Sequence, residues 1–140
     1  MTRAKVKVIF DTNIWISFLI GKQLSKLQSY LSDGRITVIT TDQLLAELKL
    51  VSQRKKLRKY FPSETVDEFI SILEIISENF EITSRHDESR DPKDNFLLDL
   101  IDYSKADYLV TGDKDLLDLE SFMNAKIVSP SVFEKAMLTF

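Results

Sequence analysis

Four carboxylates, Asp11, Glu47, Asp94 and Asp113, stand where a solvated surface role does not fully explain them. Asp11 ends the β-branched run K-V-K-V-I-F and precedes Thr12 and Asn13. Asp113 follows Leu109-Val110-Thr111-Gly112, with Asp115 and Asp118 close behind. Each has an ordinary alternative, because an Asp at a strand end can cap the next helix or serve a turn. If the sheet sets these two strands side by side, their carboxylates meet. Glu47 belongs to a segment whose apolar face is Leu44, Leu45, Leu48 and Val51. At about 100° per residue it projects to the flank of that stripe rather than opposite it. A carboxylate buried there needs a cationic partner or a metal. Asp94 falls in the first turn of its helix, where an acid suits the helix dipole. The same projection places it between Leu98 and Ile101, and Asp91 already supplies the cap. Carboxylates gathered in one cleft repel each other and require a cation, and hard oxygen donors select Mg²⁺ or Mn²⁺. Such a site can activate water and support in-line displacement at phosphorus.

Competing chemistries lack their parts. The chain has no cysteine, so thiol catalysis, thiolate metal sites and disulfides are excluded. Its one histidine, His86, sits in a polar stretch with no second histidine to build a zinc set. Neither G-x-x-x-x-G-K-[ST] nor G-x-G-x-x-G occurs.

The elements that must position the acids follow from periodicity. Lys5 to Phe10, Ile36 to Thr40, Phe80 to Ser84, Asp107 to Thr111 and Ala125 to Val128 read as strands. Helices are expected over Ile14 to Ile20, Leu24 to Leu31 and Gln43 to Val51, the last capped by Thr41. A further helix is expected after Ser63, with Val66, Phe69, Ile70, Leu73 and Ile76 on its apolar face. Asp91-Pro92 opens another, running to about Ser104, and Ser129-Pro130 opens the last, with Val132, Phe133, Ala136 and Met137 on one face. Strands alternating with amphipathic helices predict an α/β fold, a central parallel sheet flanked by helices on both faces. Ligand sites in such sheets lie beyond the carboxyl ends of the strands, which is where Asp11 and Asp113 fall.

At 140 residues, with three Gly, three Pro and no visible repeat, one domain over 1–140 is expected. The apolar run Ile14 to Ile20 is broken by Ser17 and is far shorter than the ~20 residues of a membrane span. Without a signal-peptide core near the start, a soluble, cytoplasmic protein is expected. The net charge of −3 argues against broad attraction to nucleic acid. Charge is uneven, however, with Arg54, Lys55, Lys56, Arg58 and Lys59 bunched together. They are either a solvated face or a phosphate-contacting patch.

Taken in order, F-D-T-N at 10–13, L-L-A-E-L at 44–48, D-P-K-D-N-F-L-L at 91–98, D-Y-L-V-T-G-D-K-D-L-L at 107–117 and I-V-S-P-S-V-F at 127–133 resemble a PIN domain. The likeness is to the prokaryotic branch of toxin components of toxin–antitoxin systems, related to VapC-type toxins. No one piece is specific; the ordered set, spanning nearly the whole chain, is. The resemblance implies that Asp11, Glu47, Asp94 and Asp113 bind one or two divalent ions. It makes Thr12, Asn13 and Thr111 supporting groups and Asp115 an auxiliary ligand. Asp91 and Asp94 both lie near the third acidic position, which leaves that assignment open. The implied activity is hydrolysis of RNA phosphodiesters, leaving a 3′-hydroxyl and a 5′-phosphate. The implied partners are RNA, a small antitoxin protein and a second copy of the chain in a homodimer.

Two alternatives remain. V-I-F-D-T-N with Gly112-Asp113 and Asp118 also resembles a haloacid-dehalogenase-type phosphatase. That chemistry needs a second acid where Asn13 stands, and an amide cannot deliver the proton. The other alternative is a catalytically idle PIN fold that only binds RNA or protein. The sequence does not name the RNA target.

Overall fold

The computed structural model describes residues 5–21, 29–30, 33–54, 57, 59, 63–82 and 95–138. Strands β1 (Val6–Phe10), β2 (Ile36–Thr40), β3 (Glu78–Asn79), β4 (Tyr108–Val110), β5 (Ser121–Phe122) and β6 (Ala125–Val128) form one sheet in the order β3-β2-β1-β4-β6-β5. All neighbours are parallel except the β5–β6 pair. The helices are α1 (Thr12–Gly21), α2 (Asp42–Ser52), α3 (Ser63–Ile76), α4 (Asn95–Ser104), α5 (Lys114–Leu117) and α6 (Pro130–Met137).

Alternation along the strands builds two cores on opposite faces, because successive strand side chains point opposite ways. Val8, Phe10, Val38 and Val110 pack with Trp15 of α1, Leu48 of α2, Leu73 of α3 and Phe133 of α6. Ile9, Ile39, Leu109 and Ile127 pack with Leu97, Leu98 and Ile101 of α4 and Leu116 of α5. The expected parallel sheet with helices on both faces is therefore present, with one antiparallel pair, β5–β6, at its edge. The first core is anchored by Phe10, whose ring meets Trp15 edge-on at 5.1 Å and Phe133 at 5.7 Å. Such pairings add to the area these rings bury and fix the start of α1 against β1.

Several local expectations are corrected. Of the strand expected over Phe80 to Ser84, residues 80–82 are not strand, the short β3 ending at Asn79, and residues 83–84 lie outside the described residues. β2 leaves the sheet at Thr40 to enter α2, and among the described residues the pairing is carried past β3 by the Phe80 N–H, which donates to the Thr40 carbonyl at 2.9 Å. Ile76 is 43% exposed and Val132 50%, so neither joins its helix's apolar face. Thr41 precedes α2 in extended conformation but makes no side-chain cap bond. Ser129 caps α6 as expected, accepting from the Val132 N–H. β5 and the one-turn α5 are too short to leave a periodic signal. The helix expected over Leu24 to Leu31, except residues 29–30, lies outside the described residues, as does the Asp91-Pro92 helix start.

Candidate active site

Parallel pairing of β1 with β4 sets Phe10 opposite Val110, so Asp11 and Thr111 leave the sheet together. The Asp11 N–H donates to the Val110 carbonyl at 3.0 Å, extending the ladder by one bond. Thr111 Oγ1 then donates to Asp11 Oδ2 at 2.7 Å and accepts from the Asp113 N–H at 3.0 Å. One buried hydroxyl thus ties the two acids into a single unit. Asp113 Oδ1 accepts from the Asp115 N–H at 2.8 Å and caps α5. The capping and site readings of Asp113 are compatible.

Asp11 is only 7% exposed and Thr111 not at all. Burial pushes the Asp11 carboxyl above its ordinary 3.8. Bonds from the Thr111 hydroxyl and the Thr12 backbone oppose the rise, and the negative charge of Asp113 reinforces it. Thr12 is buried beside Asp11, and its hydroxyl has no hydrogen-bond partner among the described residues. Asn13 is exposed, and its carbonyl accepts from Ser17 Oγ at 3.0 Å.

Glu47 is half-buried on α2, in keeping with its projection to the flank of Leu44, Leu48 and Val51. Asp115 is half-buried on α5. Asp94 and Asp91 lie outside the described residues. Among the described residues no three His, Cys, Asp or Glu side chains gather closely enough to hold a metal ion. The structure brings together Asp11 and Asp113 and does not bring Glu47 or Asp115 into a set of three with them.

Of the basic run, Arg54 and Lys59 are described and exposed; Lys55, Lys56 and Arg58 lie outside the described residues. Arg54 follows the end of α2, whereas the helix begins at the sheet edge beside the acids. The 11 residues of α2 separate the two by about 16 Å at 1.5 Å per residue. A substrate touching both must run the length of that helix.

The sequence motifs passed over Asp99, a carboxylate only 2% exposed on α4. Its signal was present, since it interrupts the run Phe96-Leu97-Leu98-Asp99-Leu100-Ile101, every member of which is buried. No helix among the described residues is long and apolar enough to cross a membrane.

The sequence profile described as PIN domain matches residues 7–115. An uncharacterized protein of Methanocaldococcus jannaschii is 32% identical over 126 residues, covering 85% of this chain and 78% of that protein. Among solved structures, the chain is similar to VapC20 of Mycobacterium tuberculosis, described as a sarcin–ricin loop cleaving toxin. That match has a TM-score of 0.56 at 13% identity and covers 85% of this chain and 98% of VapC20. It bears on the fold alone.

Proposed function

Because this chain belongs to the PIN-domain family, whose members are nucleases, we propose that it is a metal-dependent endoribonuclease. The observation that carries the reading is that Thr111 links the Asp11 carboxylate to the Asp113 backbone N–H, holding the two acids together at the carboxyl ends of adjacent parallel strands. Ligand sites of open α/β sheets lie at such edges.

The donor chemistry fits a hard divalent cation. Asp11 and Asp113 offer only oxygen, Asp11 is buried, and their mutual repulsion is what a dication would relieve. In this reading Asp11 and Asp113 hold Mg²⁺ or Mn²⁺, and Glu47 and Asp94 complete the set, with Asp115 auxiliary. A cation bound there would supply Lewis-acid chemistry toward water and the phosphoryl oxygens. Thr111 keeps the Asp11 carboxylate in one orientation, and Thr12 and Asn13 support the same edge. The products expected are a 3′-hydroxyl and a 5′-phosphate. The exposed Arg54 and Lys59, with Lys55, Lys56 and Arg58, would contact the RNA backbone. A toxin role, restrained by a small antitoxin, and a homodimer are proposed with this activity; VapC20, which shares the fold, is described as a sarcin–ricin loop cleaving toxin.

The test is incubation of the purified protein with end-labelled RNA in Mg²⁺, in Mn²⁺ and in chelator. Cleavage confined to the metal lanes, with the expected ends, supports the reading. Turnover of a phosphomonoester without RNA cleavage would favour the phosphatase alternative. RNA binding with no cleavage under any metal would favour an idle binding module.

A further inference from the structure

A cavity of about 410 Å³ opens at the same end of the sheet and is lined by Thr41, Asp42, Gln43, Phe80, Glu81 and Ile82. Its position follows from register. β1 and β2 are parallel neighbours with Ile9 opposite Ile39, so Asp11 and Thr41 occupy matching places just past their strands. Neighbouring strands lie about 4.8 Å apart, so Thr41 is one strand spacing from Asp11, and the cavity extends from Thr41 toward β3, away from β4.

The lining has an apolar floor and a polar rim. Phe80 and Ile82 are half-buried and pack against the core that contains Ile39 and Leu44. Asp42, Gln43 and Glu81 are exposed. Asp42 is held in place, since its Oδ1 accepts from Asn79 Nδ2 at 3.3 Å and the same amide reaches Thr40 Oγ1 at 3.4 Å. The volume lies within the roughly 300–1,000 Å³ of small-molecule pockets.

The chemistry of that lining selects what it can take. Two carboxylates at the rim repel phosphate, so the nucleic-acid group suited to the cavity is an uncharged base. An aromatic floor gives any base a surface to stack on. The carboxylates then discriminate, because they only accept hydrogen bonds. Guanine presents N1–H and the 2-amino group side by side, two donors matched to the two oxygens of one carboxylate. Its O6 can accept from the Gln43 amide. Adenine and cytosine set an acceptor nitrogen beside their amino group, and uracil sets carbonyls on both sides of its N–H. Each of those would face a carboxylate oxygen with a lone pair.

We infer that this cavity is a guanine-binding subsite for a nucleotide flanking the one cleaved at the acid pair. The inference rests on the ribonuclease reading of the acid pair and gives it a base preference.

The test uses the full chain carrying Asp11→Asn, to suppress cleavage, and short uridine oligomers with one central guanosine, inosine, adenosine or cytidine. Affinities are read by fluorescence anisotropy. Guanosine should bind on the order of tenfold tighter than inosine, which lacks the 2-amino group. Adding Asp42→Asn or Glu81→Gln, both at exposed positions, should abolish that gap in at least one case. Adding Phe80→Leu should weaken all four oligomers by about tenfold, since stacking ignores base identity. If Phe80→Leu does not fold, Gln43→Ala at an exposed position should still weaken guanosine more than cytidine. Equal binding of the four oligomers by the parent overturns the inference, as does a guanosine preference that survives both acidic substitutions. Failure of the nuclease reading is separately visible. Guanosine-selective binding with no cleavage by the wild-type chain would remove that reading and keep the subsite, whereas cleavage blind to the base would do the reverse.

Discussion

Thr111 Oγ1 donates to Asp11 Oδ2 at 2.7 Å, joining residues 100 positions apart in sequence. The same oxygen accepts from the Asp113 N–H, so one buried side chain serves both acids. The parallel β1–β4 pairing makes this possible by delivering Asp11 and Thr111 to the same level of the sheet edge. Asp11 would otherwise be a buried carboxylate without a donor from β4, and such a group is costly.

Replacing Thr111 by Val keeps the side chain's shape and removes both bonds. The Asp113 N–H loses its acceptor and the Asp11 carboxylate a donor, a loss of about 1–3 kcal/mol in folding stability. The Thr111 bond holds the Asp11 carboxyl down, so the substitution should also raise it further above 3.8. The acid limb of the pH–rate profile should move to higher pH, and Thr111→Ser should restore it. A Val variant with the wild-type limb would show that this bond does not govern Asp11.

Asp11 should also impose a pH dependence on stability. Burial, with the Asp113 charge added, raises its carboxyl above 3.8 in the folded state, against the pull of Thr111 and Thr12. A folded state that binds the proton more tightly than the unfolded chain loses stability as pH rises from 3.8 through the raised value. Below 3.8 the contribution is fully retained. At neutral pH in chelator the wild type carries the whole penalty and Asp11→Asn does not. The variant should therefore melt higher there, and the difference should shrink on acidification. Added Mn²⁺ should stabilise the wild type more than the variant, because the unfolded chain has no assembled site. Thermal melts of both proteins across that pH range check this. A variant melting lower than wild type at every pH would contradict it.

How much of this was legible in sequence depends on whether a feature is local or long-range. The strand ends at Phe10 and Val110 were readable because β-branched and aromatic runs stop abruptly at an acid or glycine. That β1 and β4 are neighbours was not, since strand order depends on how helices pack over both faces. Glu47's half-burial followed from helical projection, a local property. The polar link through Thr111 had no sequence signal beyond its place before Gly112-Asp113. Asp99 interrupts an otherwise apolar helical run, a local signal of its burial. The apolar–polar alternation from Phe80 through Ile82 carries a strand signal. β2 ends before it can pair with that segment, leaving Phe80 and Ile82 to floor a cavity.

The basic run offers a check on how RNA lies across the molecule. Lys55, Lys56 and Lys59 changed together to Gln should weaken RNA binding and flatten its salt dependence. Three lost phosphate contacts correspond to a drop of about 2 in the log–log slope for a single strand. Arg54, where the run begins, lies a helix length from the end of α2 nearest the acid pair, so oligomers too short to span about 16 Å should be insensitive to the change. An unchanged slope with long RNA would make these residues a solvated face.

The most direct measurement is the single-turnover rate of RNA cleavage at saturating Mn²⁺ for the wild type and for Asp11→Asn, each purified free of host nucleases and shown to be folded. Removing one carboxylate of the pair should lower the rate by about 10³-fold or more, equivalent to ~4 kcal/mol of lost transition-state stabilisation. Asp11→Asn cleaving at the wild-type rate would contradict the assignment of the Asp11–Asp113 pair as the catalytic centre.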